Sequence, residues 1–159
     1  MLSCQNPILR VLVVDDHELT RFSLKLALSN QRDIELVGLA SNGKEAIAMV
    51  ERYRPDVVIL DLQMPVMDGL SASSHIKGIN PNTQIIAYSS VDDPQIEVMS
   101  QTARVDFFCK KDTATKDLIN IVKELGSRSP NSPEGKNNQS YTGQWRIAAL
   151  AKKLWERQF

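Results

Sequence analysis

The chain has 159 residues, 42% of them hydrophobic, and its 19 basic side chains cancel its 19 acidic ones to a net charge of zero. Zero charge disfavours a general binder of nucleic acid, which gains from a basic excess. The hydrophobic share disfavours a disordered acidic chain. The longest aliphatic runs, Val11 to Val14 and Val57 to Leu60, are far short of the roughly 20 apolar residues that a membrane span needs. The N-terminus has no long apolar stretch of the secretory kind. Cys4 and Cys109 are too few for a disulfide framework and too isolated for a zinc site, so a reducing cytoplasm is the expected setting.

The elements follow in chain order. Residues 10–14 are apolar throughout before Asp15-Asp16, as in a strand buried on both faces of a parallel sheet. Leu19, Phe22 and Leu26 recur at three- and four-residue spacing and predict a helix. Ile34 to Ala40 predicts a second strand, broken by Ser41-Asn42-Gly43. Ala46, Ile47, Val50 and Tyr53 predict a second helix, stopped at Arg54-Pro55. Val57 to Leu60 predicts a third strand, ending at Asp61. A loop, Met64 to Gly69, leads to a third helix that runs to about Lys77. Gln84 to Tyr88 predicts a fourth strand, ending at Ser89. Pro94 opens a fourth helix through Ile96, Met99 and Ala103. Asp106 to Lys110 predicts a fifth strand, and Leu118 to Leu125 a fifth helix closed by Gly126. Strands alternating with helices imply right-handed crossovers and a doubly wound α/β fold with a parallel sheet.

Residues 127–144 hold no aliphatic side chain and predict a flexible linker, with a reach of roughly 25 Å. From residue 145 to 159 a helical pattern returns. Ile147, Leu150, Leu154, Trp155 and Phe159 form an apolar side, and Arg146, Lys152, Lys153 and Arg157 hold much of the rest. An isolated helix of this length is marginal in water, so it is expected to dock. Its own folded domain or a second copy comes first, a groove on a partner protein second, and an anionic membrane surface is disfavoured. Residues 1–126 hold 13 basic and 17 acidic side chains, and residues 127–159 hold 6 basic and 2 acidic. Neutrality is thus a cancellation between an acidic domain and a basic tail.

Ligands of open parallel sheets bind at the carboxyl ends of the strands. There the sequence places Asp15, Asp16, Asp61, Ser89 and Lys111. Each alone reads as a helix cap, a loop residue or a solvated charge. Together at four strand ends of one sheet they predict a site. Three carboxylates and one ammonium leave a charge of −2, which calls for a hard divalent cation such as Mg²⁺. One carboxylate can then act as a nucleophile toward phosphorus, with the ammonium and hydroxyl sharing the phosphoryl charge. His17 and His75 are read as exposed helix residues, since no ligand partner stands at metal spacing from His17. Cys109 is read as a small core residue.

Val13-Val14-Asp15-Asp16-His17, Asp61 with Met64-Pro65 and Asp68-Gly69, then Ser89 and Lys111, together resemble the receiver domain of bacterial two-component response regulators. Arg54-Pro55-Asp56-Val57-Val58 and Lys111-Asp112 are similar to the NarL/LuxR-type subgroup. The resemblance implies strand order 2-1-3-4-5, an N-terminal extension over 1–8 and a receiver domain over 9–126. It implies that Asp61 accepts phosphate from a histidine kinase or phosphotransfer protein. It further implies that Asp15, Asp16, Asp61 and the main-chain carbonyl of Gln63 hold Mg²⁺. Lys111 and Ser89 would meet the phosphoryl group, with Phe108 turning inward behind Ser89. The face made by the helix from Pro94, the fifth strand and the fifth helix would change and engage a partner or a second copy. Phe108 stands where Tyr is frequent, Asp112 where Pro is frequent, and Arg104 and Phe107 replace small residues, making the output face bulkier. The subgroup's DNA-binding domain has no counterpart here, so the expectation is a stand-alone response regulator that switches protein interactions. The alternatives are a transcription regulator with a minimal or trans-supplied DNA-binding part, and a phosphohydrolase. Phosphohydrolases of the haloacid-dehalogenase type carry a second Asp where Gln63 stands.

Overall fold

The structure is a computed structural model, and it describes residues 7–90 and 104–127. The helix expected from Pro94, the linker over 127–144 and the amphipathic segment 145–159, with Ile147, Leu150, Leu154, Trp155 and Phe159, lie outside the described residues, save Ser127 at the linker's start.

Five strands, β1 (Leu9–Val14), β2 (Ile34–Ala40), β3 (Val57–Asp61), β4 (Gln84–Ser89) and β5 (Phe107–Lys110), pair in parallel in the order β2-β1-β3-β4-β5. This is the expected doubly wound order. The described helices are α1 (Glu18–Ser29), α2 (Gly43–Tyr53), α3 (Gly69–Ile79) and α4 (Thr115–Gly126). Among the described residues no helix is long and apolar enough to cross a membrane.

The continuous apolar strands explain the layering. Successive side chains point to opposite faces. Val11, Val13, Val57, Ile59, Ile86, Phe107 and Cys109 therefore join Leu24 and Leu28 of α1 and Leu118, Ile121, Val122 and Leu125 of α4 in one core. Leu12, Val14, Val58, Leu60 and Ile85 join Ala46 and Val50 of α2 and Ala72 and Ile76 of α3 in the other. Local chemistry sets the helix ends. Asn42 accepts from the Glu45 N–H and caps α2, while Glu45 reaches back to the Ser41 N–H. Arg54 takes the left-handed conformation, φ 45°, that ends α2 ahead of Pro55. Asp68 caps α3 through the Ser71 N–H.

Two sequence expectations are corrected, and α1 buries a different stripe from the one that predicted it. The helix α1 forms, but Leu19, Phe22 and Leu26 are 76%, 54% and 53% exposed, and Leu24 and Leu28 are the buried face. Both sets have helical spacing, and only the position of α1 over β1 and β2 decides between them. Phe107 is buried in the core and adds no bulk to the output face. Gly126 is the last helical residue and not a left-handed cap, since no glycine among the described residues has positive φ. A Cβ on Gly126 would come within 2.5 Å of Leu9 Cδ2.

Cys109 is buried, and burial pushes its thiol up to about 11. In a Cys4→Ser protein, Ellman's reagent should therefore react with native Cys109 at least about a hundredfold more slowly than after denaturation, because the thiolate is the reactive form. Equal rates would place the thiol at the surface.

Candidate functional site

The carboxyl ends of β1 and β3 bring the acidic groups together. Asp15 and Asp61 are almost fully buried, and the Asp16 side chain is 28% exposed. Asp15 is fixed by its chain neighbourhood: its N–H donates to Ala40 O, and its carbonyl accepts from Arg21 Nη1 at 2.7 Å. Asp61 is fixed from below by β3, and its Oδ1 accepts from the Gln63 N–H at 3.0 Å. The loop after it folds closely over β3 at Gly69, whose N–H donates to Leu62 O.

Lys111 is the cation of the rim. Its Nζ lies 2.9 Å from Asp15 Oδ2 and 3.3 Å from Asp61 Oδ2. Burial pulls the ammonium down, but the two carboxylates outweigh it and hold the group above its ordinary value. Its backbone is held at both ends: its N–H donates to Ser89 O, and its carbonyl accepts from Tyr88 Oη at 3.2 Å. The ammonium also stands over the Tyr88 ring, 5.9 Å from the centroid. Burial pushes the Tyr88 hydroxyl up to about 12, so it stays a donor.

Burial also pushes the Asp61 carboxyl up, to about 6. The Gln63 N–H and the Lys111 ammonium oppose that, while the Asp15 charge and the Asp16 side chain add to it. The rim thus stores unfavourable negative charge next to a single lysine. Asp15 Oδ2, despite its ion-pair contact with Lys111, and Asp16 Oδ1 are buried oxygens that accept no well-directed hydrogen bond. Orphaned carboxylate oxygens beside a third carboxylate are a donor set that a divalent cation satisfies. The cluster can hold a metal ion: Asp15, Asp16, His17 and Asp61 each offer a ligand atom, all within 4.8 Å of one another.

The other expected residues are less closely joined. Ser89 is buried at the end of β4, but its hydroxyl points to Ser90 O at 3.5 Å, the outer limit of a hydrogen bond. Phe108 is half-buried, on the face of β5 opposite Phe107. His17, Tyr88 and Arg21 were not anticipated at the rim. His17 is exposed, but its Nδ1 lies 3.1 Å from Asp16 Oδ1 and 3.3 Å from Asp15 Oδ1. The expectation that His17 lacks partners is thereby corrected: they are its immediate chain neighbours. Strand alternation sets Tyr88 on the face opposite Ser89, among the side chains of the core.

The response regulator receiver domain family matches residues 11–123. The chain belongs to that family. The receiver is 37% identical over 116 residues to the response regulator protein VraR of Staphylococcus aureus, covering 73% of this chain and 56% of the relative. It spans about half the length of the curated relatives it matches. Among solved structures it is similar to the signal receiver domain of NarL from Mycobacterium tuberculosis. That likeness has 29% identity and a TM-score of 0.71, over 77% of this chain and 98% of that one. The response regulator domain of Thermotoga maritima CheB gives 27% identity and a TM-score of 0.68, over 76% of this chain and 97% of that one.

The receiver's β3–α3 loop carries one strained residue. Val66 has φ 73°, in a region that β-branched side chains rarely adopt, and it is 71% exposed. Val66→Gly should raise stability by about 1 kcal/mol, because the strain relieved exceeds the entropy that glycine adds to the unfolded chain. Urea unfolding checks this, and a lower midpoint for the glycine variant would show that the valine side chain stabilises the loop.

Proposed function

We propose that this chain is a two-component response regulator whose receiver, over 9–126, accepts a phosphoryl group on Asp61 and thereby switches a protein–protein interaction. The observation that carries the reading is a buried carboxylate at the end of a central strand, with an acid pair on one side and a lysine ammonium in ion-pair contact with it. An Asp61 carboxylate oxygen attacks phosphorus, the N–P bond of the donor phosphohistidine breaks, and the imidazole leaves with the electron pair. Asp15, Asp16, Asp61 and the main-chain carbonyl of Gln63 would hold Mg²⁺, which supplies positive charge to the phosphoryl oxygens when bound. Lys111 neutralises a further oxygen, and Tyr88 and Ser89 O keep its main chain in place. The Ser89 hydroxyl, now turned to Ser90, and the half-buried Phe108 are the groups free to move toward the modified site. The receiver has no separate substrate to turn over: self-phosphorylation and slow dephosphorylation are its chemistry. The same reading implies a cytoplasmic setting.

Incubation with Mg²⁺ and acetyl phosphate should add one phosphoryl group that resists acid and is lost in base. If Asp61→Asn accepts it equally well, the acceptor is another residue.

The phosphodonor, a histidine kinase or phosphotransfer protein, needs a surface beside the rim. The exposed face of α1 fits, since that helix starts at the acid pair. Leu19 and Phe22 line a shallow groove of about 580 Å³ with Glu18, Arg21, Lys25 and Leu39. Phe22→Asp should slow phosphotransfer from a protein donor at least about tenfold, as for a central interface aromatic. Phosphorylation by acetyl phosphate should be unchanged. An equal loss with both donors would mean that the substitution disturbs the site itself. The output surface of this reading is the face of β5 and α4, open to a downstream protein or a second copy.

A further inference from the structure

We propose that His17 is a fourth protein ligand of the acid-pair site, so that the receiver binds nitrogen-preferring first-row divalent ions there more tightly than Mg²⁺. This inference rests on the metal site of the function proposed above and concerns which ion that site selects.

The placement of the ring is the first observation. His17 is the residue ahead of α1, in extended conformation, and its side chain makes no capping bond to that helix. Its backbone N–H is engaged with Asp15 Oδ1 at 2.8 Å, which turns the residue back toward the acid pair. The ring nitrogen Nδ1 then lies 3.1 Å from Asp16 Oδ1 and 3.3 Å from Asp15 Oδ1. Neighbouring ligands on one ion with bonds of about 2.0–2.2 Å are separated by about 2.8–3.1 Å in octahedral and about 3.3–3.6 Å in tetrahedral geometry. The two Nδ1–oxygen separations fall in that range. Asp61 completes a set of four donors, all within 4.8 Å.

The second observation is the unsatisfied carboxylate oxygen that faces the ring. Asp16 Oδ1, the oxygen nearest Nδ1, accepts no well-directed hydrogen bond, so the imidazole contact does not satisfy it as a donor would, whereas Asp15 Oδ2 faces the Lys111 ammonium at 2.9 Å. A cation between ring and carboxylates satisfies the oxygens and the ring nitrogen together.

The chemistry of the donors then sets the preference. Carboxylates alone suit Mg²⁺, Ca²⁺ and Mn²⁺, whereas imidazole suits zinc, nickel, copper and iron. One nitrogen added to three carboxylates raises affinity along the first-row series and does little for Mg²⁺, which coordinates oxygen. The exposed side of the ring leaves Nδ1 reachable from solvent.

Titration calorimetry of the full chain with Co²⁺ and with Mg²⁺ tests this, using wild type, His17→Ala, His17→Gln and Asp16→Asn. Circular dichroism checks that each variant is folded. Wild type should bind Co²⁺ more tightly than Mg²⁺, and excess Mg²⁺ should displace the Co²⁺, which shows a shared site. Both His17 variants should lose at least about tenfold in Co²⁺ affinity. Their Mg²⁺ affinity should stay within about twofold, and the visible spectrum of bound Co²⁺ should change. Unchanged Co²⁺ affinity in the His17 variants overturns the inference. So does an equal loss for both ions, which would make His17 a hydrogen-bonding partner of the carboxylates. Co²⁺ that Mg²⁺ cannot displace also overturns it. Mg²⁺ binding that is absent from wild type, or untouched by Asp16→Asn, overturns the metal site itself and with it the proposed function.

Discussion

Asp61→Asn is expected to abolish phosphoryl acceptance and, in EDTA at pH 7.5, to make the protein more stable than wild type. The two effects have one source. Burial raises the Asp61 carboxyl from 3.8 to about 6, with Asp15 and Asp16 adding to it, so the charged form that the proposed attack needs is also the form that strains the fold. The sign follows from proton binding. Below the unfolded value, both states hold the proton and there is no cost. Between 3.8 and about 6 the folded state holds the proton that the unfolded state releases, so stability falls as pH rises. Above about 6 the whole cost is present, on the order of 2–3 kcal/mol, since each tenfold change in proton affinity is worth about 1.4 kcal/mol. Asparagine keeps the shape, removes the charge and leaves Lys111 paired with Asp15. The gain over wild type should therefore shrink as pH falls from 7 toward 4. Thermal unfolding of both proteins across that range measures it. Added Mg²⁺ should narrow the gap by stabilising wild type more than the variant. A variant less stable than wild type at pH 7.5 in EDTA would show that the rim's charge is already balanced.

Gly69→Ala should be the most damaging single methyl addition near the site. A Cβ there would lie 2.3 Å from Asp61 O and 2.6 Å from Leu62 Cα. These are main-chain atoms of β3 and its continuation, with buried strands on both sides, so neither can shift as a flexible side chain would. The start of α3 has to move away, or the end of β3 has to bend. Either costs about 3 kcal/mol, the upper end for overpacking, because the obstacle is backbone. For a domain of this size that lowers the melting temperature by roughly 10 °C. Acceptance of phosphate should fall too, since the displaced carbonyl belongs to Asp61. A melting temperature within about 2 °C of wild type would mean that the loop absorbs the methyl group.

Much of this architecture is legible in the amino-acid order because of one pattern. The strands are apolar on consecutive residues, which only a sheet covered on both faces requires, and the polar residues that end them fall on one rim. Where reading failed, two answers had equal spacing or the answer lay across the fold. On α1 the Leu19 and Leu24 sets both repeat as helix faces, and the sheet beneath selects the second. Phe107 and Phe108 are adjacent on one strand, and the chain alone does not say which turns inward. Gly126 resembles a helix stop, yet its lack of a side chain answers to Leu9, more than 100 residues earlier. His17 stood next to the acid pair in plain sight. Its ring meets the acid pair because the chain turns back at Asp15, and the third carboxylate reaches the same place through the pairing of β1 with β3. The roles proposed for Ser89 and Phe108 concern movement, and no residue pattern along the chain encodes it.

The alternation along β3 has a consequence for errors in assembly. Val58 and Leu60 serve one core, Val57 and Ile59 the other, and Asp61 continues the second set. The strand is paired on both sides, Ile59 with Val13 and Ile86. A slip of one residue would exchange the two cores' side chains and aim the Asp61 carboxylate at the wrong face. Misassembled chains would therefore lack the cluster of carboxylates and lysine at the rim. The geometry that makes the fold stable also acts as its proofreading.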